Sequence, residues 1–164
     1  MNHSLTLNSA MLMCALFLTG CATLFTGATT PVVLIDHPSD LRVVTSEGES
    51  LPIGQVEADI QSAYKFTAWY YYPGVEVDKQ MKTHELTLSS SDGTATTNIL
   101  LKPSGYMILG NLFTSGIIGL VVDASSKKWH VAANKYVDVP AVLNGTEPRS
   151  QRELRNYMRR DVQN

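Results

Sequence analysis

Glu85-Leu86-Thr87-Leu88-Ser89 sets apolar and polar residues strictly in turn, and Gln55-Val56-Glu57-Ala58-Asp59-Ile60 does the same earlier in the chain. Side chains of a strand point alternately to its two faces, so each stretch reads as a strand with one buried and one wet side. Working outward, Val32–Ile35, Leu41–Thr45, Val56–Ile60, Tyr64–Tyr72, Glu85–Ser89 and Thr94–Leu101 are all rich in β-branched and aromatic residues. Turn formers separate them: His37-Pro38-Ser39-Asp40, Glu47-Gly48-Glu49, Pro73-Gly74 and Ser91-Asp92-Gly93. Trp129 to Val139 resumes the alternation as a last strand, stopped by Pro140 and the Asn144-Gly145 turn signal. Short strands at this spacing predict a mainly β chain, a small antiparallel β-sandwich over residues 31–143.

Two segments depart from that pattern. Residues 106–122 are almost wholly apolar, with Gly110, Gly116 and Gly119. Three readings are open: a core-covering helix whose glycines permit close backbone approach, an element lying on a membrane surface, or a hairpin completing the sandwich. Residues 144–164 read as a basic C-terminal helix, with Thr146 as N-cap and Pro148 in the first turn. Leu154, Tyr157, Met158 and Val162 fall on one face of it; Arg152, Arg155 and Arg159 fall on the other. Such a helix either packs on the body with a solvated outer face or contacts anionic lipid, lipopolysaccharide or an acidic partner.

The N-terminus supplies the most specific motif. Met11 to Leu18 is an uncharged apolar run, of signal-peptide length and too short to span a bilayer. Leu18-Thr19-Gly20-Cys21 follows it. The four residues resemble the lipobox of bacterial lipoproteins, in which an aliphatic residue, a small residue, and Gly or Ala precede a lipidated cysteine. The resemblance implies that residues 1–20 are a removed signal peptide, that Cys21 carries the lipid, and that 21–30 form a tether. Ala22, where lipoproteins kept in the inner membrane carry Asp, implies the outer membrane with the domain facing the periplasm. Of the two cysteines, Cys14 then leaves with the signal and Cys21 is capped, so no disulfide is expected.

A second resemblance covers about half of the mature chain. Thr30-Pro-Val-Val-Leu-Ile-Asp-His-Pro-Ser-Asp-Leu-Arg-Val43, with Ser46-Glu-Gly-Glu49 and Gly54, is similar to the opening of PEGA-type domains. Gly110-Asn-Leu-Phe-Thr-Ser-Gly-Ile-Ile-Gly-Leu-Val-Val-Asp-Ala124 resembles a Gly-rich segment of small bacterial lipoproteins that carry such a domain. What this implies is a β-sandwich on a lipid anchor, in a family with no established reaction, so it transfers no catalytic residue.

Charge separates along the chain. Residues 21–104 hold ten acidic and five basic side chains, whereas 105–164 hold five acidic and eight basic. The formal net charge of −2 and the lack of a basic stripe in the body argue against nucleic acid as a partner. Asp36, His37 and Ser39 offer an acid, a base and a nucleophile on paper, but the Pro38 turn accounts for the same residues. His84 and His130 lack metal-ligand spacing, and no glycine-rich stretch leads into Lys-Ser/Thr, so neither metal nor cofactor is expected. Trp69-Tyr70-Tyr71-Tyr72 is the remaining candidate: one alternate pair faces the core and the other faces outward, either as sheet packing or as a platform for a glycan or a protein. The sequence therefore predicts a non-enzymatic, membrane-anchored structural or interaction module of the envelope. Its partners would be the membrane through the lipid, and an envelope protein or peptidoglycan. The alternative is a ligand-binding module for peptidoglycan, glycan or lipid.

Overall fold

In the computed structural model, residues 27–61, 67–79, 83–106, 108–109 and 129–163 are described; the side chains of 59–61, 67–69 and 162–163 are not. The chain divides into two compact units, 29–101 with 132–164, and 1–28 with 102–131. In the second unit, residues 105, 106, 108 and 109 are helical, and the Ser104 N–H donates to the Trp129 carbonyl at 3.0 Å. Cys21 and most of the Gly-rich segment, 107 and 110–122, lie outside the described residues.

The first unit is mainly β. Its strands are β1 (Thr29–Ile35), β2 (Arg42–Thr45), β3 (Ser50–Leu51), β4 (Gly54–Gln61), β5 (Thr67–Asp78), β6 (Thr83–Ser90), β7 (Gly93–Pro103), β8 (His130–Ala132) and β9 (Tyr136–Asp138). Residues 102–103 of β7 and 130–131 of β8 are counted with the other unit. Two helices follow, α1 (Val139–Leu143) and α2 (Gln151–Gln163). One sheet has the order β4-β5-β1-β9 and the other β3-β2-β6-β7-β8. Antiparallel pairing dominates, as expected of a sandwich, but β1 and β9 run parallel, Val33 beside Tyr136.

Burial follows alternation. On β6, Leu86 and Leu88 are fully buried while Thr83 and Glu85 are exposed. They meet Val43, Ile99 and Leu101 of their own sheet, and Val32, Leu34, Val75, Val77 and Val137 of the other. β1 does not alternate, because both of its faces are covered. Val33 and Ile35 turn to the far side of the sheet, where with Val56, Ala58 and Tyr136 they pack against Leu154 and Met158 of α2. The layers of this unit are thus helix, sheet, sheet. Burying Leu154 and Met158, four residues apart on one helix face, contributes about 1.5–3 kcal/mol each.

Local detail refines the expected pattern. Pro73-Gly74 lies inside β5, where Gly74 pairs with Gly54 on one side and Val33 on the other. The last strand is two: β8 joins one sheet, β9 the other, and Asn134 between them donates to the Asn98 carbonyl and accepts from the Leu100 N–H. Pro140 stands in the first turn of α1, where its fixed φ and missing N–H suit a helix start. Asn144-Gly145 is a turn, as read, and it closes α1. Gly145 has φ 62°, and the Gly145 and Thr146 N–H groups donate to the Val142 and Ala141 carbonyls, a Schellman closure.

Thr146 therefore closes α1 and does not open α2. The N-cap of α2 is Ser150, whose Oγ accepts from the Glu153 N–H at 3.3 Å while Glu153 Oε2 accepts from the Ser150 N–H at 2.8 Å. That is a capping box, Ser-x-x-Glu, and it starts the helix five residues after Gly145.

Candidate functional site

The polar centre of the sheet-and-helix unit forms where β1, β9 and α2 converge. Asp36 ends β1 with φ 54°, a left-handed backbone that Asp adopts more readily than most residues. Asp138 ends β9 and is buried. Arg149, just ahead of α2, spans both. Its Nε donates to Asp138 Oδ2 at 2.7 Å, and its Nη2 donates to Asp138 Oδ1 at 2.8 Å and to Asp36 Oδ2 at 3.0 Å. The Arg149 backbone N–H adds a bond to Asp138 Oδ2 at 3.1 Å. The Tyr157 hydroxyl donates to Asp36 Oδ1 at 2.9 Å, and the guanidinium lies 4.9 Å from the centre of the Tyr157 ring. Planar, bidentate pairing of this kind is what arginine does better than lysine.

The electrostatics follow from those bonds. Hydrogen bonding to Arg149 holds the Asp138 carboxyl below its ordinary value despite burial, which pushes the other way. Hydrogen bonding to Asp138, and then to Asp36, raises Arg149 further above its already high value. The bond from its hydroxyl to Asp36 raises Tyr157. One guanidinium thus bridges two carboxylates, and the cluster fastens α2 to the ends of β1 and β9. His37 does not join Asp36: its Nδ1 lies 2.9 Å from the Pro38 carbonyl oxygen. Asp36, His37 and Ser39 therefore do not assemble as a catalytic relay through Asp36 and His37.

Gln151 makes a second fastening. Its Nε2 donates to the Tyr136 carbonyl at 2.6 Å and its Oε1 accepts from the Tyr136 N–H at 3.0 Å. The side-chain amide thus occupies the outer edge of β9 as a neighbouring strand would, closing an edge that would otherwise invite pairing.

Hollows flank Asp36 and His37. One, of about 300 Å³, opens toward Tyr72, Tyr157 and Asp161; another, of about 450 Å³, toward Asp92 and Asn144. Among the described residues no group of three or more His, Cys, Asp or Glu is placed to hold a metal ion.

The aromatic run is divided by the sheet. Tyr70 and Tyr72 pack under α2, and the Tyr72 hydroxyl donates to the Met158 carbonyl at 3.4 Å. Burial, foremost, raises Tyr72 above the ordinary phenol value. Tyr71 points the other way and is 65% exposed, donating to Glu57 Oε1 at 3.3 Å across the β4–β5 pair. Trp69 pairs with Asp59 in that register, and its side chain lies outside the described residues.

Arg152, Arg155 and Arg160 stand exposed on α2 and Arg159 is half-buried, with its Nε sequestered. Among the described residues none of the four has a carboxylate within ion-pair distance, whereas Arg149 has two. Sequence reasoning named Arg152, Arg155 and Arg159 but missed Arg149, Asp138 and Gln151. Pairing across more than a hundred residues, as from Asp36 to Arg149, has no local signal; Ser150-x-x-Glu153 does, and it was there to be read. Comparison with family models, with curated proteins and with solved structures gave no match.

Proposed function

We propose that the mature protein is a lipid-anchored, non-enzymatic module of the bacterial envelope, held by Cys21 on the periplasmic face of the outer membrane and acting as a structural or interaction element. The observation that carries this reading is Leu18-Thr19-Gly20-Cys21 placed directly behind the apolar run from Met11 to Leu18. Support comes from how the polar groups are spent. The adjacent acid and base Asp36 and His37 turn to Arg149, Tyr157 and Pro38. Several acyl chains on one cysteine give stable membrane attachment where a single chain would be marginal.

Mass spectrometry of detergent-extracted protein tests the anchor. The expected N-terminal fragment begins at Cys21 and carries a diacylglyceryl group and an amide-linked acyl chain. Recovery of a soluble chain that retains Met1 overturns it.

A further inference from the structure

The outward face of α2 carries positive charge that no carboxylate among the described residues pairs at ion-pair distance. Leu154 and Met158 fix the helix by its inner face, so the outer face is held in one orientation with Arg152, Arg155, Asn156 and Arg160 exposed on it and Arg159 half-buried at its side. Of the two carboxylates on α2, Asp161 lies on the sheet side, beside Tyr72, while Glu153, which caps Ser150, stands exposed beside Asn156, Arg159 and Arg160, so the arginines outnumber the one carboxylate among them. The rest of the mature chain, 21–150, has the opposite sign, with nine basic against thirteen acidic side chains. Toward a negative surface this body is repelled and its α2 face attracted.

We infer that α2 is a second, electrostatic contact between this protein and the membrane, its outer arginines lying on the phosphates of anionic lipid headgroups. The inference rests on the anchored reading. Thr29 opens β1 only eight residues after Cys21, so the tether keeps the start of the sheet within about 28 Å of the lipid. Among the described side chains of α2 the only exposed large apolar one is Tyr157, whose hydroxyl is tied to Asp36, so the contact is with headgroup phosphate and does not insert into the acyl layer. Arginine suits that task, since its planar fork binds phosphate through paired N–H donors. An interaction of this kind is screened within about 8 Å at physiological salt and weakens as salt rises. The consequence is orientation: the anchor alone leaves the domain free to tumble, and α2 turns the helical side of the sandwich to the bilayer and the β6-bearing sheet away from it.

Vesicle co-sedimentation of the lipid-free mature chain, Cys21→Ala, isolates α2 from the anchor. With vesicles of phosphatidylglycerol and phosphatidylethanolamine at low salt, binding is expected, and it falls at least about tenfold in Arg152→Gln/Arg155→Gln/Arg160→Gln, each cation near an anionic surface being worth about 1 kcal/mol. The same three positions changed to Lys keep most of it, and circular dichroism checks that both variants are folded. Equal binding to phosphatidylcholine vesicles, unchanged binding by the Gln variant, or capture by an acidic protein but by no vesicle overturns the inference. An unlipidated Cys21 would overturn the anchor without moving any of these readings.

Discussion

At Gly74 the backbones of three strands come together. A β-carbon there would fall inside the van der Waals envelope of the Val32 carbonyl, which is main chain and cannot swing away, and of a Val56 methyl. Gly74→Ala is therefore expected to destabilise by about 3 kcal/mol, at the upper end for overpacked cores, with the loss read as a lower urea midpoint. Asp138 sets a pH dependence. Its carboxyl titrates lower in the folded chain than in the unfolded one because Arg149 holds the ionised form. Its contribution is thus complete above the unfolded value of about 4 and is lost as pH falls through the lower folded value. Urea unfolding between pH 7 and pH 3 should show Asp138→Asn less stable than the parent at neutral pH and flatter on the acid side. A parallel pair of profiles would mean that the bond to Arg149 contributes nothing. Neither residue was legible: Pro-Gly is a turn signal unless a long-range partner claims it, and the partner of Asp138 is recognised only when the chain has folded back.

At the scale of the element, α2 shows what a helix needs in order to be read. Of the expected apolar face, Leu154 and Met158 are buried while Tyr157 is 37% exposed and turns its hydroxyl to Asp36, and the helix start was misplaced because Thr146 and Pro148 also make a plausible opening. What decides between them is the preceding Gly145, whose positive φ closes α1 and claims Thr146 for that closure. Ser150 then caps. Ser150→Ala removes the Oγ that satisfies the Glu153 N–H and should cost about 1 kcal/mol, with earlier fraying of residues 151–154 seen in amide hydrogen exchange. Gln151 explains why fraying there matters to the sheet, since the outer edge of β9 depends on its amide.

For the molecule as a whole, the mainly β, two-sheet reading was carried by alternation in β4 and β6. The third layer was encoded too. Val32-Val33-Leu34-Ile35 is apolar without a break, which a strand wet on one side would not be, and the unbroken run demands a cover on each face. Which segment supplies that cover is a tertiary fact. So is the parallel β1–β9 pair, because pairing between distant strands leaves no periodic mark on either one.

That pair also fixes the order of events. β1 meets β5 along one edge, yet its other edge waits for Tyr136–Asp138, and Asp36 at its end waits for Arg149. A chain that emerges from the N-terminus forward cannot close its first strand until nearly its last residue is available. Distant contacts of this sort slow folding through the entropy of the loop they close. The sandwich therefore completes itself only once its C-terminal part has emerged: a chain halted before Tyr136 leaves one edge of β1 bare and Asp36 without its arginine.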